Sequence, residues 1–165
     1  MSLTLRDRRS DNGPDGDDAW IVRRHDEVVT PAFGFNAGHT RDVAEIVAKF
    51  AAGHDPARER CWIAEVDGER AGCVYLIDEG GGWSRLRLLY AEPFARGRGV
   101  GASLVRACTD FARAAGYAGI VLWTMSPLVS ARRLYQAEGY ALTERRPHLG
   151  YGVEAEDEIW RLSFS

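Results

Sequence analysis

Residues 96–102, Arg-Gly-Arg-Gly-Val-Gly-Ala, carry three glycines at alternate positions, with arginines on both sides of the first, and lead straight into an apolar-periodic segment. Backbone with so few side chains, two fixed positive charges and a helix behind it suits a phosphate-bearing ligand. A helix N-terminus holds unpaired N–H groups at the positive end of the macrodipole. Glycines let those groups reach phosphate oxygens with no Cβ in the way. The plainer alternative is a tight strand-to-helix turn. Gly97-x-Gly99-x-x-Ala102 also matches the dinucleotide fingerprint in form. That fingerprint belongs in an early βαβ unit with an acid closing the next strand. Here the next apolar run ends Trp123-Thr124-Met125-Ser126, without an acid, and too little chain is left for a doubly wound sheet. A nicotinamide-dinucleotide enzyme therefore ranks third among the readings that follow.

Composition narrows the chemistry further. The chain has 165 residues, 45% hydrophobic and 27% charged, which fits one globular domain with a sizeable core. A net charge of −3 gives no basic footprint for nucleic acid. The pairs Arg132–Arg133 and Arg145–Arg146 sit among acids and read as solvated surface. Lys49 is the only lysine, so neither a P-loop lysine nor a Schiff base is expected. Cys61, Cys73 and Cys108 lie in apolar runs without CxxC spacing and read as small core residues. His25, His39, His54 and His148 show no ligand spacing, and no metal is expected. No apolar run reaches the ~20 residues of a membrane span, and no signal pattern opens the chain. A cytoplasmic location without membrane contact is the expectation.

The elements that must position the glycine stretch can be read from periodicity. Residues 1–18 are polar and rich in turn formers, and are expected to form a disordered tail, leaving 19–165 as a single domain. Residues 19–24 alternate weakly and are expected as a first strand. Thr40 is the expected N-cap of an amphipathic helix with Val43, Ile46, Val47 and Phe50 on one face and Gly53 as its stop. Apolar runs at 61–66 and 70–77, joined by Asp67-Gly68-Glu69, predict a hairpin. The glycines at 80–82 predict another turn, and 85–92, where arginine and leucine alternate, a strand. Leu104, Val105, Cys108, Phe111, Ala112 and Ala115 make a helical stripe closed by Gly116. Residues 119–124 read as a strand buried on both faces. A short helix over about 127–138 follows, with Ser126 as cap, Pro127 at N1 and Gly139 at its end. Strands near 140–145 and 157–164 complete a mixed α/β domain.

A second pattern fits the glycine stretch better. Arg96-Gly97-Arg98-Gly99-Val100-Gly101 meets [RQ]-x-x-G-x-[GA] after a strand and Pro93, and Ala131-Arg132-Arg133-Leu134-Tyr135 with Gly139-Tyr140 follows the next strand. Together these segments resemble the pyrophosphate loop and following helix of the GNAT superfamily of N-acetyltransferases. The likeness covers 19–165, with its motifs between 88 and 140. A narrower likeness, in 54–69, 122–124 and 147–164, is to the acetyltransferase half of fusions with MarR-type regulators. With only about 18 residues ahead of the first strand, no winged-helix domain is expected, and DNA binding does not carry over.

The resemblance implies a mostly antiparallel sheet flanked by helices, with one splayed parallel pair, here 85–91 and 119–124. It implies acetyl-CoA as cosubstrate in that splay. The pantetheine would lie along Leu89, Tyr90 and Ala91, and the pyrophosphate on the amides of Arg96, Gly97, Arg98, Gly99, Val100, Gly101 and Ala102. Ser130, Ala131 and Arg133 would stand beside it, with Arg132 a further candidate for the phosphates. Tyr135 matches the position that serves the leaving sulfur, and a phenol is a fair proton donor at neutral pH; the other reading is a core aromatic beside Leu134. The amine must also lose a proton, and the strand 85–91 has no carboxylate. Glu65, Glu79, Glu92, His148 or a water chain remain for that step. Many members carry asparagine seven residues before the tyrosine; Leu128 stands there here, with Ser126 or Ser130 as substitutes.

The expected function is direct transfer of an acetyl group to a primary amine of a small molecule or peptide in a ternary complex, with a homodimer as a family-level expectation. Leu128 and the missing obvious base support an alternative, a CoA-binding sensor or interaction module of the same fold. Phe33, Phe35, Trp83 and Tyr151 are candidates for the acceptor wall, or ordinary packing residues.

Overall fold

The protein is described by a computed structural model covering residues 2–10 and 13–165. Among the described residues, one seven-stranded sheet runs in the order β1-β2-β3-β4-β5-β7-β6. Its strands are β1 Leu3–Asp7, β2 Arg60–Val66, β3 Glu69–Gly80, β4 Trp83–Ala91, β5 Gly119–Met125, β6 Ala141–Pro147 and β7 Glu156–Ser163. All neighbours are antiparallel except β4 and β5, as expected for the fold class. The helices are α1 Asp17–Arg24, α2 Thr30–Ala32, α3 Ala37–Ala52, α4 Val100–Ala114 and α5 Val129–Ala137, with a wider π-helical turn at His25–Val29 joining α1 to α2.

Local chemistry explains the tight connections. Asp67 and Gly68 both take positive φ, 51° and 85°, the backbone twist that a two-residue hairpin requires. Helices then cover both faces of the sheet. On one, α4 lays Val100, Leu104, Val105, Cys108 and Ala112 against Trp62, Val74, Leu76 and Leu86. On the other, α1 and α3 lay Trp20, Ile21, Val43, Val47 and Phe50 against Cys61, Ile63, Cys73 and Tyr75. The three cysteines are buried within these cores, and burial pushes each thiol above its ordinary range, so they remain protonated packing residues.

Several expectations need correction. Residues 19–24 are helical, not a strand: acids occupy the first turn of α1, and Trp20, Ile21 and His25 bury a helical stripe. Asn36, not Thr40, caps α3, its side chain accepting from the Gly38 N–H. The last helix starts at Val129 rather than after Ser126, with Leu128 at its N-cap and no side-chain cap. Trp123 breaks the burial of β5 and is 42% exposed. The first residues are not a loose tail, because β1 pairs with β2 and packs Leu3 and Leu5 on the core. Met1, Asp11 and Asn12, which that expectation also covered, lie outside the described residues.

The charges of the first segment have partners. Asp17, 1% exposed, accepts from Arg6 at 2.8 and 2.9 Å, from Arg70 at 3.0 Å and from the Arg9 N–H at 2.8 Å. Asp18 accepts twice from Arg8. Burial pushes the Asp17 carboxyl up, but the bonds from Arg6 and Arg9 and the charges of Arg6 and Arg70 outweigh it and hold it at about 2. Its folded value thus lies below the unfolded one. The stability it contributes is complete above pH ~4 and is lost as pH falls through ~2, about 2 kcal/mol in all. Asp17→Asn is expected to cost about 3 kcal/mol at pH 7, because Arg6 and Arg70 lose their shared carboxylate. Urea melts should show this deficit shrinking toward pH 2; equal midpoints at pH 7 would mean that the clamp contributes no stability.

Candidate functional site

β4 and β5 pair in parallel only from Trp83–Gly119 to Leu86–Leu122. Beyond that point β4 turns away. The cause is a bulge: the register with β3 slips between Tyr75–Arg87 and Cys73–Tyr90, and Leu88 takes φ 52°. Cys73 Sγ–H donates to the Leu88 carbonyl at 3.4 Å. Tyr90 then anchors the bent end. Its hydroxyl donates to Glu92 at 2.9 Å, and Glu92 is held by Arg24 at 2.7 and 3.0 Å. Among the described residues Leu89, Tyr90 and Ala91 are left with no partner on the β5 side, while β5 pairs with β7 through Met125. The sequence expectation of a splayed pair is met, through a bulge that no glycine marks.

The glycine loop leads away from this edge. After the 3₁₀ turn Pro93–Ala95, Gly97 and Gly99 take φ 76° and 77°, a left-handed conformation that costs a side-chain-bearing residue ~1–2 kcal/mol. Gly99 is the N-cap of α4, and the first bond to it is from the Ser103 N–H to the Gly99 carbonyl, at 3.0 Å. The amides of Gly99, Val100, Gly101 and Ala102 therefore have no backbone acceptor among the described residues. No acid stands in the first turn, and Arg96 and Arg98 are exposed and without an ion pair among the described residues. Open amides, a positive dipole end and two arginines fit an anion the size of a pyrophosphate. A Cβ at Gly101 would lie 3.0 Å from Leu134, so this glycine lets α5 approach α4, and the Val100 side chain is buried in the core.

On α5, Ser130 and Arg133 are exposed and Ala131 is half-buried, while Arg132 is drawn into an ion pair with buried Glu158 at 2.9 Å and is not free for a phosphate. Ser126 is also engaged, its Oγ accepting from the Glu156 N–H at 3.0 Å. Tyr135 is 5% exposed, with its ring 5.7 Å from that of Tyr140. No group among the described residues bonds its hydroxyl, and burial, with the nearby Cys108, pushes the phenol above its ordinary value, so it stays protonated.

The structure sorts the four candidate bases. Glu92 is sealed by Arg24 and Tyr90, and Glu65 pairs with Arg6 at 3.0 Å. Glu79 sits near the β3–β4 turn, at the other end of the parallel pair. His148 lies at the C-terminal end of β5, where Asp157 pairs with Met125. Its Nδ1 is 2.7 Å from Asp157, and its Nε2 is buried without a partner. A carboxylate on Nδ1 leaves the lone pair on Nε2.

Aromatic rings join this end of the sheet to the helices. Phe33, Phe35, His39, Tyr151 and His148 form a continuous series with centroids 4.8–5.7 Å apart, and the Tyr151 hydroxyl donates to Asp42 on α3. Trp83 does not belong to it, because it packs over Gly119 at the opposite end of β4. His39, Asp42 and Asp157 were missed in the sequence, where they are isolated polar residues in unrelated segments.

The fold and this geometry define a class. The model of the Acetyltransferase (GNAT) family matches residues 15–140, and the chain belongs to that family. It is 35% identical over 82 residues to an uncharacterized N-acetyltransferase of Schizosaccharomyces pombe, covering 49% of this chain and 50% of that protein. It is 33% identical over 96 residues to an IAA acetyltransferase of Azospirillum brasilense, covering 58% and 61%. The chain thus spans between half and about three-fifths of the length of these relatives. Its fold matches that of yncA from Salmonella typhimurium, a structure assigned as an acetyltransferase and solved with acetyl-CoA, at TM-score 0.79 and 20% identity over 100% of this chain and 95% of that one. No helix among the described residues is long and apolar enough to cross a membrane.

Proposed function

We propose that the protein moves the acetyl group of acetyl-CoA directly to a primary amine within a ternary complex. One observation carries the reading: the unpaired edge of β4, the open amides of the glycine loop that follows it and the unpartnered Tyr135 hydroxyl on α5 all belong to the segments that flank the parallel pair. Acetyl-CoA, when bound, supplies a thioester whose transfer needs donors for its carbonyl oxygen, a neutral amine and a proton for the departing sulfur. Leu89 to Ala91 hold the pantetheine arm through backbone bonds. The amides around Gly99, with Arg96, Arg98 and Arg133, hold the phosphates, and Ser130 and Ala131 line the approach. Tyr135 gives its proton to the sulfur. His148, oriented by Asp157, takes the amine's proton at Nε2, directly or through water. The buried, protonated cysteines argue for direct transfer rather than an acetylated enzyme. The likeness of 54–69, 122–124 and 147–164 to the acetyltransferase half of MarR-type fusions, and a cytoplasmic location, belong to the same reading.

Leu128, an N-cap without a capping side chain, favours a second reading: a CoA-binding sensor of the same fold. The test is thiol release from acetyl-CoA against a panel of primary amines, with the products identified by mass spectrometry. Acceptor-dependent release with an N-acetylated product supports transfer. Tight acetyl-CoA binding without release for any amine favours the sensor.

A further inference from the structure

A cavity of 410 Å³ lies between α3 and the β3–β4 part of the sheet, with Arg87, Asp42, Tyr75 and Tyr151 in its lining. Building on the acetyl-transfer reading, we infer that it receives an acceptor carrying a carboxylate close to its amine, the amino-acid class, and that Arg87 is the carboxylate's partner.

Arg87 comes from the middle of β4, opposite Tyr75, and is half-buried. Among the described residues no carboxylate lies within 4.0 Å of it and no group accepts a hydrogen bond from it. Burial first, and then the like charge of Arg85, push its pKa down, against smaller opposing pulls from Glu79, Tyr151 and Asp42, none of which pairs with it directly. Arg85, two residues earlier on the same face, is answered by Glu79 at 3.8 Å and lies over the Trp123 ring. The Arg85 Nε is itself buried without a partner, but Arg87 lacks an ion pair altogether among the described residues.

The acids around the cavity do not fill this role. Asp42 accepts from Tyr151, Glu59 from the Asp55 and Asp78 amides, and Asp78 from the Gly80 amide. Glu45 and Lys49 stand four residues apart on the exposed side of α3. A half-buried guanidinium with five donors and no acceptor is unfavourable as it stands, and a carboxylate matches its fork with two parallel bonds. Arg87 also immediately precedes the Leu88 bulge, so an anion on it sits one arginine side chain away from the open β4 edge. An amine reaching that edge from the same molecule must lie within a few bonds of the anion. Ile46, Phe50 and Ile77 line the same cavity and suit an apolar remainder.

The test compares apolar L-amino acids with their amides and with the corresponding decarboxylated amines, in transfer assays and in calorimetric titrations with CoA present. The wild type is expected to prefer the carboxylated member by at least about 50-fold in kcat/KM and in affinity. Arg87→Gln should collapse that preference to within about threefold, through KM, and Arg87→Lys, which keeps the charge without the fork, should retain part of it. Equal use of all three acceptor types by the wild type, or an undiminished preference in Arg87→Gln, overturns the inference. The titrations separate this result from the transfer reading: carboxylate-selective binding lost in Arg87→Gln, but without thiol release, supports the subsite and overturns the transfer.

Discussion

Gly99→Glu should reduce acetyl-CoA affinity at least about 100-fold in calorimetric titration, while the folded protein persists. The two effects separate because they arise from different physics. A side chain at φ 77° costs about 1–2 kcal/mol of backbone strain, and nothing lies within 4 Å of a Cβ placed there, so no clash adds to it. A carboxylate at a helix N-terminus interacts favourably with the macrodipole, which offsets part of the strain. The same carboxylate occupies the open amides of Val100 to Ala102 and repels the phosphates that need them. Gly99→Ala is the control: it carries the strain without the charge and should weaken binding no more than about tenfold. Equal loss in both variants would assign the effect to loop geometry. Unchanged binding in Gly99→Glu would remove the phosphate site from the loop.

Tyr135→Phe should lower kcat by about 100-fold and leave the KM for acetyl-CoA within a few-fold, the pattern of a group that acts in the transition state. Stability supplies the complementary readout. No group among the described residues bonds the Tyr135 hydroxyl, so removing it breaks no hydrogen bond and should leave the melting temperature unchanged or slightly higher. A purely structural tyrosine predicts the reverse, a loss of stability with turnover intact. Because burial and the nearby Cys108 raise the phenol above its ordinary value, the wild-type rate should not decline on the alkaline side through Tyr135 below pH ~10.

Features specified by adjacent residues were legible in the sequence. Asp67-Gly68 announced the hairpin because only such residues accept its backbone twist, and the glycine stretch announced an anion loop for the same reason. Gly53, Gly116 and Gly139 marked the helix ends they occupy. What stayed hidden depends on tertiary partners. The Leu88 bulge has no local marker, since its geometry is set by Cys73 and by the anchoring of Tyr90. The opening segment read as disordered because its arginines and aspartates look solvated until Arg6, Arg8 and Arg70 meet Asp17 and Asp18. The link between Tyr151 and Asp42 spans 109 residues, and Arg87 looked like one arginine in an alternating strand until its lack of a partner could be seen.

The two edges of the sheet are protected by different means. β6 ends in Glu144, Arg145, Arg146 and Pro147, a charged edge closed by a residue with no N–H to offer, which discourages another chain from joining. β2 has no such guard: its edge is apolar and is covered only by β1. Trimming the first ten residues would remove no group proposed for catalysis, yet it would uncover a ladder of free amides and carbonyls next to buried Trp62 and Ile63. The damage would appear first as insolubility and edge-to-edge aggregation, before any change in turnover.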